Sequence, residues 1–104
     1  MSRQIRITEL LTQELHPSFL LVEDESKNHH VPENAQTHFK VTAVSSKFDD
    51  LTRIARHRLL NSLLAPEFSQ GMHALSLHLF TNEEWVKRSA SVLKSPACKD
   101  GFNN

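Results

Sequence analysis

Histidine is the side chain through which this sequence is best equipped to do chemistry: its 104 residues include seven histidines and one cysteine. A neutral imidazole binds iron and zinc, and its charge changes near neutral pH. His29 and His30 are adjacent in a polar stretch that contains Pro32, and His73 follows Gly71 by two residues. These three histidines are candidate ligands. For His73 the alternative, a hydrogen-bonded histidine at the edge of a strand, stays open.

Other reactive motifs are missing from the sequence. A single cysteine, Cys98, excludes an internal disulfide and any metal site made only of cysteines. The sequence has no Walker A loop, no GxGxxG, no HExxH and no CxxC motif. It also lacks the GxxG loop with which KH domains clamp nucleic acid, and no serine or cysteine lies in a nucleophile motif. The sequence therefore favours a binding function over an enzymatic one.

The charge balance limits the classes of partner. Twelve Lys and Arg against twelve Asp and Glu give a formal net charge of zero, which disfavours a strongly nucleic-acid-seeking or polybasic membrane protein. No apolar run approaches the roughly 20 residues of a membrane span, and the first residues lack the apolar core of a signal peptide. We expect a single soluble, cytoplasmic domain that does not bind membranes.

One basic cluster is nevertheless a candidate for DNA binding. Arg53, Arg56 and His57 are spaced so that a helix would place them on one face, opposite its apolar arc, and Lys47 precedes them. Such a patch could contact phosphates, and the alternative is an ordinary solvated helix face. Arg58 falls within the apolar arc, where we expect it to extend towards solvent or pair with a carboxylate.

Hydrophobic periodicity indicates the elements that must position these residues. It predicts helices over Arg3–Leu15 and Leu51–Ala65 and a last helix opened by a Thr81-x-x-Glu84 capping box. The predicted strands are Ser18–Asp24, Thr37–Ser45 and Met72–Phe80, and a loop over Glu25–Gln36 joins the first two. Pro66 is expected to end the middle helix, with Glu67–Gly71 as a connection. Residues 1–93 form the predicted domain, and residues 94–104 a polar, disordered tail.

This order predicts an α+β fold in which a three-stranded mixed sheet has helices on one face. The first two strands are expected to pair antiparallel across the loop. The second and third are joined through a helix and can therefore run parallel. The face covered by the helices should bury Phe39, Val41 and the leucines of the third strand.

Six blocks in this order and spacing resemble the BolA family over most of the chain. They are Asp24-Glu-Ser-Lys-Asn-His-His-Val-Pro, Thr37-His-Phe-Lys-Val, Ser45-Ser-Lys-Phe, Arg56-His-Arg-Leu, His73-Ala-Leu-Ser-Leu and Thr81-x-x-Glu-Trp85. The resemblance implies a class II KH-like αββαβα fold without the GxxG loop. It also implies two activities. One is the sharing of a [2Fe-2S] cluster with a monothiol glutaredoxin, in iron-sulfur trafficking or iron- and redox-linked regulation. The other is regulation of stress, morphology and biofilm genes by binding promoter DNA.

The resemblance also assigns roles to individual histidines. His73 matches the family's cluster-ligating histidine, and His29, in Ser26-x-x-His29, matches the second ligand, a role that His30 could take instead. The glutaredoxin cysteine and glutathione would supply two thiolates, which together with two imidazoles complete a mixed ligand set. Cys98 matches no family ligand. The isolated protein is expected to carry no cofactor and to be a monomer or weak homodimer.

Overall fold

A computed structural model describes residues 2–26 and 36–94 of the chain. The elements are α1 (Arg3–Leu15), β1 (Phe19–Asp24), β2 (His38–Val44), a 3-10 turn (Ser46–Phe48), α2 (Arg53–Leu63), α3 (Ala65–Ser69), β3 (Ala74–Phe80) and α4 (Asn82–Lys94). The predicted order of elements is confirmed except for α3, a short helix that was not predicted. Residues 27–35 of the predicted loop and residues 95–104 of the predicted tail lie outside the described ranges. No helix within those ranges is long and apolar enough to cross a membrane.

The three strands form one sheet in the order β1-β2-β3, with β1 antiparallel and β3 parallel to β2. Val22 pairs with Val41, and Val41 pairs with Leu77, so these side chains share one face of the sheet. Phe39 and Val41 are buried on that face, as predicted. Leu79 of β3 is buried as well, whereas Leu75 and Leu77 are only partly buried.

Helix α1 supplies one side of the core. Its buried residues Ile7, Leu11 and Leu15 recur at spacings of four, which places them on one face of the helix. The helix ends at His16, whose left-handed backbone (φ 44°) donates its N–H to Thr12, just before Pro17. Truncating any of these three buried residues to Ala would cost about 2–5 kcal/mol of stability.

The segment after α2 differs from the prediction. Pro66 does not lead directly into a loop. It occupies the first turn of a second short helix, α3, where proline is favoured because the first N–H groups of a helix need no partner within it. The predicted connection Glu67–Gly71 is therefore wrong over its first three residues. Glu67, near the middle of α3, is buried.

The predicted orientation of α2 is also wrong. Ile54 is 65% exposed and Arg58 is exposed, whereas Arg56 is only 5% exposed and shares the buried side with Leu60. Ile54 and Arg56 lie about 160° apart on a helix of 3.6 residues per turn, so burying Arg56 turns Ile54 outwards. Hydrophobicity alone could not reveal this orientation, because it counts arginine as a surface residue.

Arg56 can be buried because polar partners surround its guanidinium. It donates to both Glu84 carboxylate oxygens, at 2.7 and 3.1 Å, and to the backbone oxygens of Leu51 and Leu79. Glu84 also completes the predicted capping box: its carboxylate accepts from Thr81 N–H at 2.9 Å, and its own N–H donates to Thr81 Oγ1 at 3.1 Å. One carboxylate therefore joins α2 to the start of α4.

Trp85 anchors the first turn of α4 on the opposite face of the sheet. Its ring stacks on Phe19 with a centroid distance of 5.2 Å and lies at the same distance from Phe80. By strand alternation, Phe19 and Phe80 point away from the core face of Phe39 and Val41. The contact of Trp85 is an exception to the expectation that the helices cover only one face.

The Arg56–Glu84 pair predicts a pH-dependent contribution to stability. Hydrogen bonds from Arg56, followed by that from Thr81 N–H, lower the pKa of Glu84 from 4.5 to about 2. A carboxyl with a lowered pKa stabilises the fold above its ordinary pKa, and this contribution is lost as the pH falls towards 2. Glu84→Gln keeps a capping side chain but removes the charge. We expect it to cost about 2 kcal/mol near pH 7 in urea unfolding, with the difference from wild type shrinking below pH 4.5.

The matched control is Glu83→Gln. Glu83 is one position earlier in α4, and its ion pair with Lys87, at 3.2 Å, joins two largely exposed side chains. Such a pair contributes at most about 0.5 kcal/mol, so this variant should stay close to wild type. Equal losses in the two variants, or a loss in Glu84→Gln that does not change with pH, would contradict the role of Glu84.

Candidate histidine site

His73 lies at the entrance of β3, where backbone hydrogen bonds fix the chain. Its N–H donates to the Thr37 carbonyl oxygen at 2.8 Å, and the N–H of Ala74 donates to the same oxygen at 3.1 Å. His73 itself is exposed. The main chain is therefore tied to the start of β2 while the residue remains accessible to a partner, which is the arrangement that a preorganised ligand requires.

The structure places a second imidazole beside His73. The ring centroids of His38 and His73 are 6.1 Å apart, with the rings nearly perpendicular. His38 Nδ1 forms a hydrogen bond with Thr37 Oγ1 at 2.9 Å, which constrains the orientation of the His38 ring. The sequence pattern singles out His73 but not His38. The signal that was missing is the strand register, because His38 pairs with Ala74 only once β2 and β3 are aligned.

The other predicted ligands, His29 and His30, lie outside the described residues, as does Cys98. Both residues that flank segment 27–35 are nevertheless described. Ser26 Oγ accepts from the N–H groups of Thr37 and His38, at 2.9 and 3.1 Å. Ser26 is thereby tied to the start of the strand that carries His38.

An ion-pair cluster joins α1 to α3 near this site. Glu67 accepts from Arg3 Nε at 2.8 Å and from Arg6 Nε and Nη2, each at 2.9 Å. These hydrogen bonds, above all that from Arg6, lower the pKa of Glu67 to about 2. No local pattern indicates this cluster, because more than 60 residues separate the arginines from Glu67.

The predicted basic surface is only partly present. Arg53 and His57 are exposed on α2 and help to line a pocket of about 120 Å³ against the last four residues of β3. Lys47, in the 3-10 turn, is exposed as well. Arg56 also borders the pocket, but its assignment to a DNA-binding patch is wrong, because its charge is buried and paired with Glu84.

The donor set at the histidine site is limited to imidazoles. Within residues 2–26 and 36–94, no three side chains of His, Cys, Asp or Glu come close enough to hold a metal ion together. That part of the chain contains no cysteine, and the irons of a [2Fe-2S] cluster take four ligands in all, either four thiolates or two thiolates with two imidazoles. The described residues therefore cannot by themselves complete such a cluster.

Comparison with known proteins places this architecture in a family. The model of the BolA-like protein family matches residues 11–84, which include β1 to β3 and both described histidines of the site. The chain belongs to the BolA-like family. Two bacterial relatives bear the name "DNA-binding transcriptional regulator BolA". That of Vibrio cholerae is 43% identical, over 91% of this chain and 90% of its own length, and that of Escherichia coli is 44% identical, over 90% of each.

Solved structures of BolA proteins share the fold. BolA1 from Arabidopsis thaliana superposes with a TM-score of 0.77 at 37% identity, covering 81% of this chain and 96% of its own. The BolA domain of SufE1 from the same plant gives a TM-score of 0.75 at 42% identity, with the same coverage of both chains. The α+β fold with a three-stranded mixed sheet is thus the fold of the BolA-like family.

Proposed function

We propose that this BolA-like chain shares a [2Fe-2S] cluster with a monothiol glutaredoxin and that His73 supplies one iron ligand. The observation that carries this proposal is the exposed His73 at a fixed strand entrance, with a second imidazole 6.1 Å away. Imidazole binds iron in its neutral form, and a ligand on a rigid element loses little entropy when it coordinates. The role we propose is that of a binding partner in iron-sulfur trafficking or iron-linked regulation.

The incomplete donor set explains why a partner is needed. A glutaredoxin cysteine and glutathione would contribute two thiolates to one iron, and two imidazoles of this chain would complete the other. In that arrangement the cluster supplies iron and an electron-accepting centre. The task of this chain is to present two neutral imidazoles at a fixed spacing, on an exposed edge that a second protein can approach.

The second imidazole has three candidates. The family resemblance favours His29, with His30 as its alternative, and both lie outside the described residues. The described geometry favours His38, whose ring is next to His73 and is oriented by Thr37 Oγ1. Ligating histidines are commonly held through the ring nitrogen that does not bind the metal, and the Nδ1 contact of His38 provides such a restraint.

Promoter binding is a second candidate function. The names of the bacterial relatives favour it, because those proteins align with this chain over about nine-tenths of each chain. On this chain the supporting surface is Arg53, His57 and Lys47, all of them exposed. The net charge of zero does not favour strong non-specific attraction to DNA. Binding through this surface would therefore depend on a few placed phosphate contacts.

The cluster proposal is tested by alanine variants of three histidines in the reconstituted complex with glutaredoxin and glutathione. His73→Ala should abolish the visible circular dichroism of the mixed-ligand cluster. Of His29→Ala and His38→Ala, the variant that removes the second ligand should give a weaker and more labile cluster.

His78→Ala is the matched control. His78 is exposed on β3, five residues beyond His73, and its removal should leave the spectrum unchanged. A wild-type spectrum in His73→Ala would overturn the assignment. If only His38→Ala, and not His29→Ala, weakens the cluster, the second ligand is His38. The opposite result identifies His29.

DNA binding is tested by the double variant Lys47→Ala with Arg53→Ala, which leaves the buried Arg56 in place. If each side chain contacts one phosphate, the slope of log K against log salt should fall by about two units. Arg58→Ala is the control, because Arg58 is exposed on the same helix but lies outside the proposed surface. Unchanged binding in the double variant would exclude this surface, and no wild-type binding near physiological salt would exclude the function.

A further inference from the structure

Arg3, the first residue of α1, connects three parts of the chain that are distant in sequence. Its backbone N–H donates to Gln36 Oε1 at 2.7 Å, and its Nη1 donates to the backbone oxygen of Gln36. Its Nη2 donates to the backbone oxygen of Gln70 at 2.7 Å, and its Nε donates to Glu67 at 2.8 Å. The side chain of Arg3 is only 11% exposed, and its contacts with Gln36 and Glu67 are partly buried, whereas that with Gln70 lies at the surface.

Two of these partners directly precede the histidine pair. Gln36 is two residues before His38, and Gln70 is three residues before His73. Between the two segments, the Thr37 carbonyl accepts the N–H groups at the start of β3. Arg3 therefore spans the two stretches of backbone from which the neighbouring imidazoles emerge, and it holds them together from the side of α1.

Glu67 and Gly71 make this arrangement possible. The Glu67 carboxylate fixes the guanidinium of Arg3, and the Glu67 backbone oxygen accepts from Met72 N–H at 3.0 Å, one residue before His73. Gly71 adopts φ +110°, a conformation that side-chain-bearing residues rarely adopt, and a Cβ there would lie 3.8 Å from Arg3 Nη2. The turn before His73 thus passes close to the guanidinium.

We propose that Arg3 is a positioning residue for the histidine site: through Gln36 and Gln70 it sets the spacing between the His38 and His73 imidazoles. The purpose of that spacing rests on the cluster function proposed above. Arginine suits this task because its planar guanidinium offers five donors in a fixed geometry, so it can bind two backbone oxygens and a carboxylate at once. A lysine would keep the charge but could not reproduce all of these contacts.

The test is Arg3→Gln in the full-length chain, with Arg56→Gln as the matched control. Both variants remove a largely buried arginine that pairs with a glutamate, but Arg56 binds Leu79 at the other end of β3. In the protein without cluster, amide hydrogen exchange of His73 and Ala74 should accelerate in Arg3→Gln by more than the rest of the sheet. In Arg56→Gln, these two amides should change only as much as the other core amides.

The second readout is the rate at which the reconstituted complex loses its visible circular dichroism. Because residues that orient metal ligands typically contribute 10- to 100-fold to affinity, Arg3→Gln should lose the signal at least about tenfold faster than wild type. Arg56→Gln, measured where it is fully folded, should match wild type. If Arg3→Gln does not fold, Arg3→Lys serves the same test, because it keeps a positive charge beside Glu67.

The outcomes separate this inference from the proposed function. Wild-type exchange at His73 in Arg3→Gln, or equal effects of Arg3→Gln and Arg56→Gln, would overturn the positioning role. If wild-type protein forms no cluster with the glutaredoxin, the proposed function fails, and hydrogen exchange at His73 and Ala74 alone decides whether Arg3 holds the two segments together.

Discussion

The parallel pairing of β2 with β3 is the constraint on which the candidate site depends. It aligns His38 with Ala74 and so brings His73 next to His38, although 35 residues separate them in the chain. Parallel strands need a crossover that leaves one end of the sheet and returns to the other. Here α2 and α3 form that crossover, and a largely buried arginine secures each of its ends.

The two arginine–glutamate clusters occupy opposite ends of β3. Arg56 binds Glu84 and the backbone oxygen of Leu79, near the carboxyl end of the strand. Arg3 binds Glu67 and the backbone oxygen of Gln70, ahead of its amino end. A buried ion pair gains little over well-packed apolar residues, but it is costly to break and it demands one geometry. We interpret the first cluster as structural and the second as support for the histidine site.

The sequence allowed prediction of what depends on local patterns. Alternation in Thr37–Ser45 and Met72–Phe80, the proline after His16 and the capping box at Thr81 predicted elements that the structure confirms within about two residues. The orientation of α2 and the place of Arg56 could not be predicted, because they depend on Glu84, 28 residues later in the chain. His73 could be singled out by its position and the family resemblance. Its neighbour His38 could not, because the two histidines meet only through the pairing of β2 with β3.

The histidine site and the basic surface lie at different ends of β3, so the two candidate functions do not compete for the same residues. His73 precedes the strand, whereas the pocket beside Arg53 and His57 lies against residues 77–80. At about 3.3 Å per residue, the two regions are more than about 10 Å apart along the strand.

The central claim is that this chain binds iron through imidazole nitrogen. Pulsed electron paramagnetic resonance of the reduced complex, prepared with this chain labelled with ¹⁵N-histidine and an unlabelled glutaredoxin, tests it most directly. The account predicts strong ¹⁵N couplings from two histidine nitrogens bound to one iron of the cluster. A reduced cluster without any ¹⁵N-histidine coupling would show ligation by thiolates alone and would contradict the account.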